Sequence, residues 1–256
     1  MCVAIIVSRF YVACITLCVC FYQQLNNYVN KIMNTRLSHK RIRFVMDLRN
    51  KGITDTNTLR AMEIVPRDVF VPDAVKHQAW EDMALPIGRG QTISQPIVVA
   101  MMTQALKLTD RDKVLEIGTG CGYQAAVLSK ICRRVYTIER HKPLLAHAEK
   151  RFTELHLRNI TAIAGDGMKG WPRINGIDQA PFDKIIVTAA ASKEPPQALL
   201  DQLKPGGIMV IPVGGPGEQM LKSYIKLEDG DYTSRDLCPV RFVPLLPDIA
   251  PNDEAA

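Results

Sequence analysis

The sequence predicts an α/β fold built on a doubly wound, mainly parallel sheet of the Rossmann-like kind. Helices are expected before this sheet and antiparallel strands after it. Two observations support the prediction. Short apolar runs alternate with helical patterns from Lys113 to Pro212, which is typical of parallel βαβ units. One run ends in a glycine-rich turn that leads directly into a helical pattern, and such turns bind ligands at the carboxyl ends of parallel strands.

The core is predicted to contain five parallel strands and three helices. Each strand is a short apolar run, and each helix is an amphipathic stretch between two runs. The strands are expected at Lys113–Ile117, Arg134–Ile138, Thr161–Ala164, Lys184–Thr188 and Ile208–Pro212, and the helices at Tyr123–Ile131, Lys142–Leu155 and Pro196–Leu203. Lys204–Gly207 is predicted to be a turn that stops the third helix, because it contains a proline and two glycines.

Segments on both sides of this core have their own patterns. Earlier helices are predicted at Asn34–Asn50, Asp55–Ile64, Ala74–Glu81 and Ile97–Leu106. Leu85–Pro96 is rich in Pro and Gly, so it is predicted to be an ordered loop with special backbone angles. Pro96 lies near the start of the fourth helix, where a proline is tolerated. Beyond the core, antiparallel strands are expected at Gln219–Leu227, Tyr232–Cys238 and Val240–Val243.

The chain is predicted to form one domain over residues 33–246, in three parts covering 33–110, 111–213 and 214–246. Residues 1–32 read as an apolar extension. Its uninterrupted part, Phe10–Tyr22, is too short for an ordinary membrane span and resembles a signal-peptide core without a cleavage site. We expect this extension to be signal-like, or to precede the normal start at Met33. Residues 247–256 are expected to be a disordered tail.

Composition argues against several kinds of partner. The net charge is +6, and a basic cluster, His39–Arg43, contributes to it. No aromatic residues interleave with the cluster, so we interpret it as a solvated helix face and expect no nucleic-acid partner. Seven cysteines contain no C-x-x-C pair and no metal-ligand spacing. Free thiols in a cytoplasmic protein, with no metal and no stable membrane association, are therefore expected.

The glycine turn, Gly118–Gly122, is the candidate binding site. Its G-x-G-x-G spacing differs from the dinucleotide fingerprint, and no Gly-Lys-Ser/Thr of a P-loop follows. Glu139 ends the next apolar run, about 20 residues on, where a doubly wound fold places a carboxylate to accept from ribose hydroxyls. Asp166-Gly167 ends the third run. Together these positions resemble the binding site of S-adenosylmethionine-dependent methyltransferases, and the alternative is a strand, turn and helix that bind nothing.

Three blocks carry a family resemblance, namely Ala61–Pro96, Val114–Lys130 and Pro181–Gly215. Over about Arg41 to Leu246 the chain resembles bacterial protein-L-isoaspartate O-methyltransferases, and Gln91–Pro96 is the discriminating segment. The resemblance implies transfer of a methyl group from S-adenosylmethionine to the α-carboxylate of L-isoaspartyl residues in damaged proteins. The methyl ester then closes to a succinimide, whose hydrolysis returns some normal aspartate. It also implies isoaspartyl-containing proteins and peptides as partners of an enzyme that we expect to be a monomer.

The same resemblance implies roles for individual residues. Ser94 is the implied catalytic residue, assisted by Thr92, and Val240–Leu246 would hold the substrate peptide by backbone pairing. The implied cofactor contacts are Gly118, Gly120 and Gly122 along the methionine portion, Glu116 beside its amino group, Glu139 at the ribose, Asp166 and Gly167 at the adenine, and Thr188 and Ala189 closing the site. Thr92, Ile93, Ser94, Gln95, Thr119, Tyr123 and Arg140 complete the implied set. Ile97, Leu246 and a small insertion at Arg173–Gln179 depart from the family pattern.

Three alternatives remain open at this point. Ser94 could simply cap the helix that follows Pro96. The protein could methylate a nucleic acid or a small molecule on the same fold. However, Thr188–Ala191 replaces the Asn/Asp-Pro-Pro-aromatic motif of base amino-group methylation, and Cys238-Pro239 reverses the order used for cytosine C5. Finally, the chain could bind S-adenosylmethionine without turnover.

Overall fold

The computed structural model describes residues 39–251 of the chain. Contacts within the chain group it into two compact units, Met1–Phe44 and Val45–Ala256. Of the first unit, the structure describes only residues 39–44, which are helical. The apolar extension, the predicted boundary between residues 32 and 33 and the tail residues 252–256 all lie outside the described residues. Within them, no helix has both the length and the apolar character that crossing a membrane requires.

Two α-helices come first along the described chain. Residues 39–50 are helical (α1), and α2 covers Thr56–Ile64. Asp55 caps α2, because its carboxylate accepts a hydrogen bond from the backbone N–H of Thr58 at 2.8 Å. The predicted helix at Asp55–Ile64 is therefore confirmed, with Asp55 as its cap.

The helix predicted at Ala74–Glu81 forms only in part, and as a 3₁₀ helix. Two short 3₁₀ segments, Arg67–Val69 and Asp73–Gln78, follow α2. None of the residues of Asp73–Gln78 is buried. Since helices in proteins depend mainly on packing of an apolar face, nothing extends this segment into an α-helix.

The Pro- and Gly-rich segment forms a hairpin. Strands β1 (Leu85–Gly88) and β2 (Gln91–Ile93) pair antiparallel, where the sequence predicted only a loop. The special backbone angles are confirmed, because Gly88, Arg89 and Gly90 all have positive φ. Helix α3 then covers Pro96–Ala105 and begins with its proline, as predicted.

The central sheet has seven strands in the order β5-β4-β3-β6-β7-β8-β9, which confirms the fold class. Its first five strands pair in parallel and the last two antiparallel. The strands are β3 Lys113–Ile117, β4 Arg134–Glu139, β5 Ile160–Ala164, β6 Phe182–Val187, β7 Leu203–Val213, β8 Gln219–Lys226 and β9 Tyr232–Val240; the helices are α4 Tyr123–Ser129, α5 Lys142–Glu154 and α6 Gln197–Gln202.

Two predictions in the second half of the sheet need correction. Lys204–Gly207 is a bulge inside β7, not a turn before it, because Phe182 pairs with Leu203 while Lys184 already pairs with Ile208. The predicted strand Val240–Val243 does not form. β9 continues to Val240, and the chain then leaves the sheet.

The strand order places the candidate site. β3 lies between β4 and β6. The chain therefore forms β4 and β5 on one side of β3 and then crosses over to form β6 and β7 on the other side. Such a switch point opens a crevice at the carboxyl ends of the strands. Gly118, Glu139 and Thr188 stand at the ends of β3, β4 and β6, and the fold therefore gathers them at one edge.

Candidate functional site

A cavity of about 990 Å³ opens at this edge of the sheet, a size suited to a cofactor together with part of a second substrate. Its walls come from the β1–β2 hairpin, the start of α3, the glycine turn, the ends of β4 and β6, and residues 239–246. Most residues of the predicted site line it: Thr92, Ile93, Ser94, Gln95, Gly118, Thr119, Gly120, Tyr123, Glu139, Arg140, Gly167, Thr188 and Ala189.

Gly118 is held tightly between β4 and β6. Its N–H donates to the carbonyl of Ile138 at 2.8 Å, and its carbonyl accepts from Thr188 Oγ1 at 2.7 Å. A Cβ added to Gly118 would lie 2.3 Å from Thr188 Oγ1, and its φ is +94°. Only glycine satisfies both conditions, so the turn presents bare backbone at this point.

Glu139 fixes the next part of the turn. Its Oε2 accepts the N–H of Gly120 at 2.7 Å, and its Oε1 accepts the N–H of His141 at 2.9 Å. Its side chain lies at the cavity wall although the residue is only 4% exposed. A carboxylate has about four lone-pair positions, so Glu139 can accept further hydrogen bonds while it holds the turn.

Glu116, Gly122 and Asp166 were predicted to touch the cofactor but are not among the residues that line the cavity. Glu116 is fully buried, and its Oε2 accepts the hydroxyl of Thr137. Burial raises the pKa of Glu116 to about 8, so this carboxyl is largely protonated at neutral pH. Its role beside the amino group stays a prediction.

Asp166 caps a short 3₁₀ segment, Gly167–Lys169, by accepting the N–H of Met168 at 2.9 Å. Burial alone would raise its pKa, but hydrogen bonds from the Asp248 and Met168 backbones and from Lys169 lower the pKa below its ordinary value. The carboxylate thus accepts hydrogen bonds from nearby backbone N–H groups, and its contact with adenine stays a prediction.

Gly122 faces a helix and not the cavity. It has a φ of +91° directly before α4, and a Cβ there would lie 2.6 Å from Cε1 of Phe152 on α5. The third glycine of the turn is therefore needed for helix packing. Spacing alone predicted that a glycine was required but not what fills the space beside it.

This packing gives a testable prediction. Gly122→Ala should lower the free energy of unfolding by roughly 2–5 kcal/mol, since a positive φ costs a non-glycine residue about 1–2 kcal/mol and overpacking adds about 1–3 kcal/mol. Urea titration of cofactor-free protein would measure it. Gly230→Ala is the matched control, because its φ is +93° with nothing within 4 Å of an added Cβ. Equal losses in the two variants would contradict the packing role.

Ser94 lies between the hairpin and α3 and lines the cavity. The residue that caps α3 is Gln95, which makes no side-chain capping hydrogen bond, so the alternative of Ser94 as a helix cap is wrong. Among the described residues, no hydrogen bond to the Ser94 hydroxyl is found. The hydroxyl is therefore available to a ligand.

Residues 239–246 form another part of the cavity wall. Ala190 bridges to them on one side, donating to the carbonyl of Val243 and accepting from the N–H of Leu245, both at 2.8 Å. On the other side, the amide of Gln219 donates to the carbonyl of Phe242 at 3.0 Å and accepts its N–H at 2.6 Å. These bonds explain why Val240–Val243 leaves the sheet. The pairing of Val240–Leu246 with a peptide stays a prediction.

Part of the predicted disordered tail is also held in place. The guanidinium of Arg140 donates to the carbonyls of Pro247 at 3.2 Å and Asp248 at 3.3 Å. In return, the N–H of Ala250 donates to the carbonyl of Arg140 at 3.0 Å. Residues 247–251 are thus ordered by backbone contacts that composition does not reveal, which corrects the prediction for this part.

Several residues of the cavity wall were not among those predicted from the sequence. Val99 and Met102 are near Pro96 on α3, Gln124 follows Tyr123 in the first turn of α4, and His141 follows Arg140. Their positions next to predicted residues could have identified them. In the part of the chain that the structure describes, no group of three or more His, Cys, Asp or Glu could hold a metal ion.

Comparisons with known proteins agree with one another. A family model described as protein-L-isoaspartate(D-aspartate) O-methyltransferase matches residues 39–249. Curated proteins named protein-L-isoaspartate O-methyltransferase are 58% identical in Rhodospirillum centenum, covering 83% of this chain and 94% of that protein, and 56% identical in Paramagnetospirillum magneticum, covering 80% and 94%.

Solved structures are similar as well. One titled protein-L-isoaspartate O-methyltransferase has a TM-score of 0.69 at 26% identity, over 82% of this chain and 67% of that one. Another, titled as a beta-aspartate methyltransferase from Plasmodium falciparum in complex with S-adenosyl-L-homocysteine, has a TM-score of 0.65 at 23% identity, over 79% and 96%. The second likeness supports the fold.

Proposed function

The chain belongs to the protein-L-isoaspartate(D-aspartate) O-methyltransferase family, and we propose that this one cavity holds both S-adenosylmethionine and the isoaspartyl residue that is methylated. One observation carries the proposal: the Ser94 loop and the glycine turn around Gly120 line the same cavity. The cofactor's sulfonium supplies the methyl group, which passes to the substrate α-carboxylate, and S-adenosylhomocysteine is left. The backbone nitrogen of the following residue then attacks the ester carbonyl, methanol leaves, and the resulting succinimide takes up water to give partly aspartate.

The residues present fit this cofactor. Gly118 and Gly120 offer bare backbone, and the nearest atom to a Cβ built on Gly120 would be Ile87 Cδ1 at 3.4 Å. Glu139 retains acceptor positions for ribose hydroxyls, and the backbone around Gly167, Thr188 and Ala189 would enclose the base and the methionine portion.

The reaction depends mainly on the correct positioning of the reacting groups. A carboxylate is already ionised at neutral pH, so no general base is needed to create the nucleophile. The Ser94 hydroxyl would donate to this carboxylate, with Thr92 and backbone N–H groups of the loop assisting. Holding nucleophile, methyl carbon and sulfur in line can contribute several kcal/mol, and an enclosing cavity would keep water from competing.

We also propose that the protein acts as a cytoplasmic monomer, on proteins and not on nucleic acids. Cys121, Cys132 and Cys238 are free thiols, which suits a reducing compartment. Thr188–Ala191 lacks the motif used in methylation of base amino groups. Size-exclusion chromatography with light scattering would test the monomer.

Paired peptides test the function directly. One peptide contains L-isoaspartate and the other aspartate at the same position, and transfer of labelled methyl from S-adenosylmethionine is measured. We expect ester formation on the isoaspartyl peptide and none above background on its partner. Transfer to RNA, DNA or a small molecule, without transfer to the isoaspartyl peptide, would overturn the proposal. S-adenosylhomocysteine binding without any transfer would favour a non-catalytic binding protein.

A further inference from the structure

A buried arginine, Arg67, contacts both the loop that carries Ser94 and Tyr123 at the start of α4. Arg67 is 0% exposed and lies in the short 3₁₀ segment after α2. Its Nη2 donates to the carbonyl of Ser94 at 2.8 Å and to that of Met83 at 3.3 Å, while its Nε donates to the carbonyl of Ala79 at 2.8 Å. The guanidinium therefore binds the backbone of the loop that carries the Ser94 hydroxyl.

The same guanidinium also contacts the glycine-turn side of the site. Its Cζ lies 4.9 Å from the ring centroid of Tyr123, a cation–π contact. Tyr123 is the first residue of α4, directly after the glycine turn, and it lines the cavity. Phe70 packs edge-on against this ring, with centroids 5.4 Å apart. Arg67 thus contacts both the loop that would hold the carboxylate and the element that would hold the methyl donor.

Packing alone does not explain why a charged side chain is buried at position 67. Burial opposes the cation and lowers the pKa of Arg67, and in the described residues no carboxylate forms an ion pair with it. An apolar side chain of similar volume often stabilises a buried site as well or better. Such a side chain would fill the space but could not donate to the Ser94 carbonyl.

We propose that Arg67 is a positioning residue for methyl transfer, which fixes the Ser94 backbone relative to Tyr123 so that the serine hydroxyl meets the carboxylate in line with the methyl donor. This inference rests on the proposed function. Arg67 itself need not touch the substrate, since it acts through the Ser94 carbonyl. Displacements of about 1 Å can reduce rates by about 100-fold, so loosening this one contact should affect kcat strongly.

Two variants test the proposal. Arg67→Lys keeps a cation but loses the forked donor geometry, and Arg67→Met keeps volume without a buried charge. For each, kcat with an isoaspartyl peptide is divided by the number of S-adenosylhomocysteine sites found by calorimetry, so that only folded protein is counted. We expect kcat per site to fall by about 10- to 100-fold, a higher peptide KM, and a Kd for S-adenosylhomocysteine within about twofold of wild type.

Arg134→Lys is the matched control. Arg134 also donates to a carbonyl, that of Arg158 at 3.4 Å, and lies over a tyrosine ring, that of Tyr136 at 5.8 Å. It stands at the start of β4, away from the cavity, and its variant should keep kcat and Kd unchanged.

The outcomes separate the two proposals. Wild-type kcat per site in either Arg67 variant would overturn the positioning role. The positioning role would also be overturned if the affinity for S-adenosylhomocysteine fell by the same factor as kcat. The same holds if neither variant bound S-adenosylhomocysteine at all. An inactive wild-type enzyme would instead contradict the proposed function.

Discussion

Replacing Ser94 by alanine is expected to lower kcat for methyl transfer to an isoaspartyl peptide by about 10- to 100-fold. A hydrogen bond to a charged group contributes about 1.5–3 kcal/mol, and about 1.4 kcal/mol corresponds to a factor of ten. Because the Ser94 hydroxyl makes no hydrogen bond to the described residues, its removal leaves no protein group unpaired. The loss should therefore fall on the substrate carboxylate.

Cofactor affinity should separate this role from a general effect on the cavity. The Kd of S-adenosylhomocysteine is expected to change by less than about twofold in Ser94→Ala, as measured by calorimetry. Ser94→Thr, which retains a hydroxyl, should recover a large part of kcat. A variant with normal kcat and weakened cofactor binding would contradict the assignment of Ser94 to the carboxylate.

The sequence predicts best what depends on local pattern. The apolar runs, the glycine turn and the carboxylate after β4 are short signals, and parallel strands must bring their carboxyl ends together. Gly118 and Glu139 therefore line one cavity, and Thr188, which only the family resemblance implied, lines it with them. Ser94 needed the family resemblance as well, since a serine before a helix is otherwise common.

Contacts between distant segments explain the failures. Nothing in the sequence near Arg67 marks it as buried, because its partners are backbone carbonyls as far away as Ser94. Gln219 in the same way draws Phe242 out of the sheet by side-chain bonds to its backbone.

The three departures from the family pattern differ in whether they lie at the cavity. The insertion at Arg173–Gln179 contacts the start of β3, where the ammonium of Lys113 donates to the carbonyl of Gln179. This is the end of the strand opposite the glycine turn. Ile97 is absent from the residues that line the cavity, whereas Leu246 lines it. Leu246 is therefore the departure that we expect to affect peptide affinity.

Glu139→Ala should weaken binding of S-adenosylhomocysteine by at least about 100-fold. Two reasons support this expectation, and only the first could be inferred from the sequence. The variant would lose the acceptor expected for the ribose hydroxyls, and it would leave the N–H groups of Gly120 and His141 unpaired near the cavity wall. An unsatisfied buried donor costs about 1–3 kcal/mol. Glu139→Gln keeps one acceptor oxygen, so we expect an intermediate loss of about tenfold.

Two ligands that differ only in the ribose 2′-hydroxyl distinguish the ribose contact of Glu139 from its contact with the glycine turn. S-adenosylhomocysteine and its 2′-deoxy analogue would be titrated calorimetrically against wild type, Glu139→Gln and Glu139→Ala, with Glu149→Ala, an exposed residue of α5, as the control. If Glu139 accepts from the ribose, wild type prefers the parent ligand and Glu139→Ala loses that preference. A preference retained in Glu139→Ala, with both affinities reduced equally, would reject the ribose contact and leave Glu139 with the glycine turn alone. Unchanged affinity in Glu139→Ala would contradict both roles, because the carboxylate that holds Gly120 would then contribute nothing to the bound state.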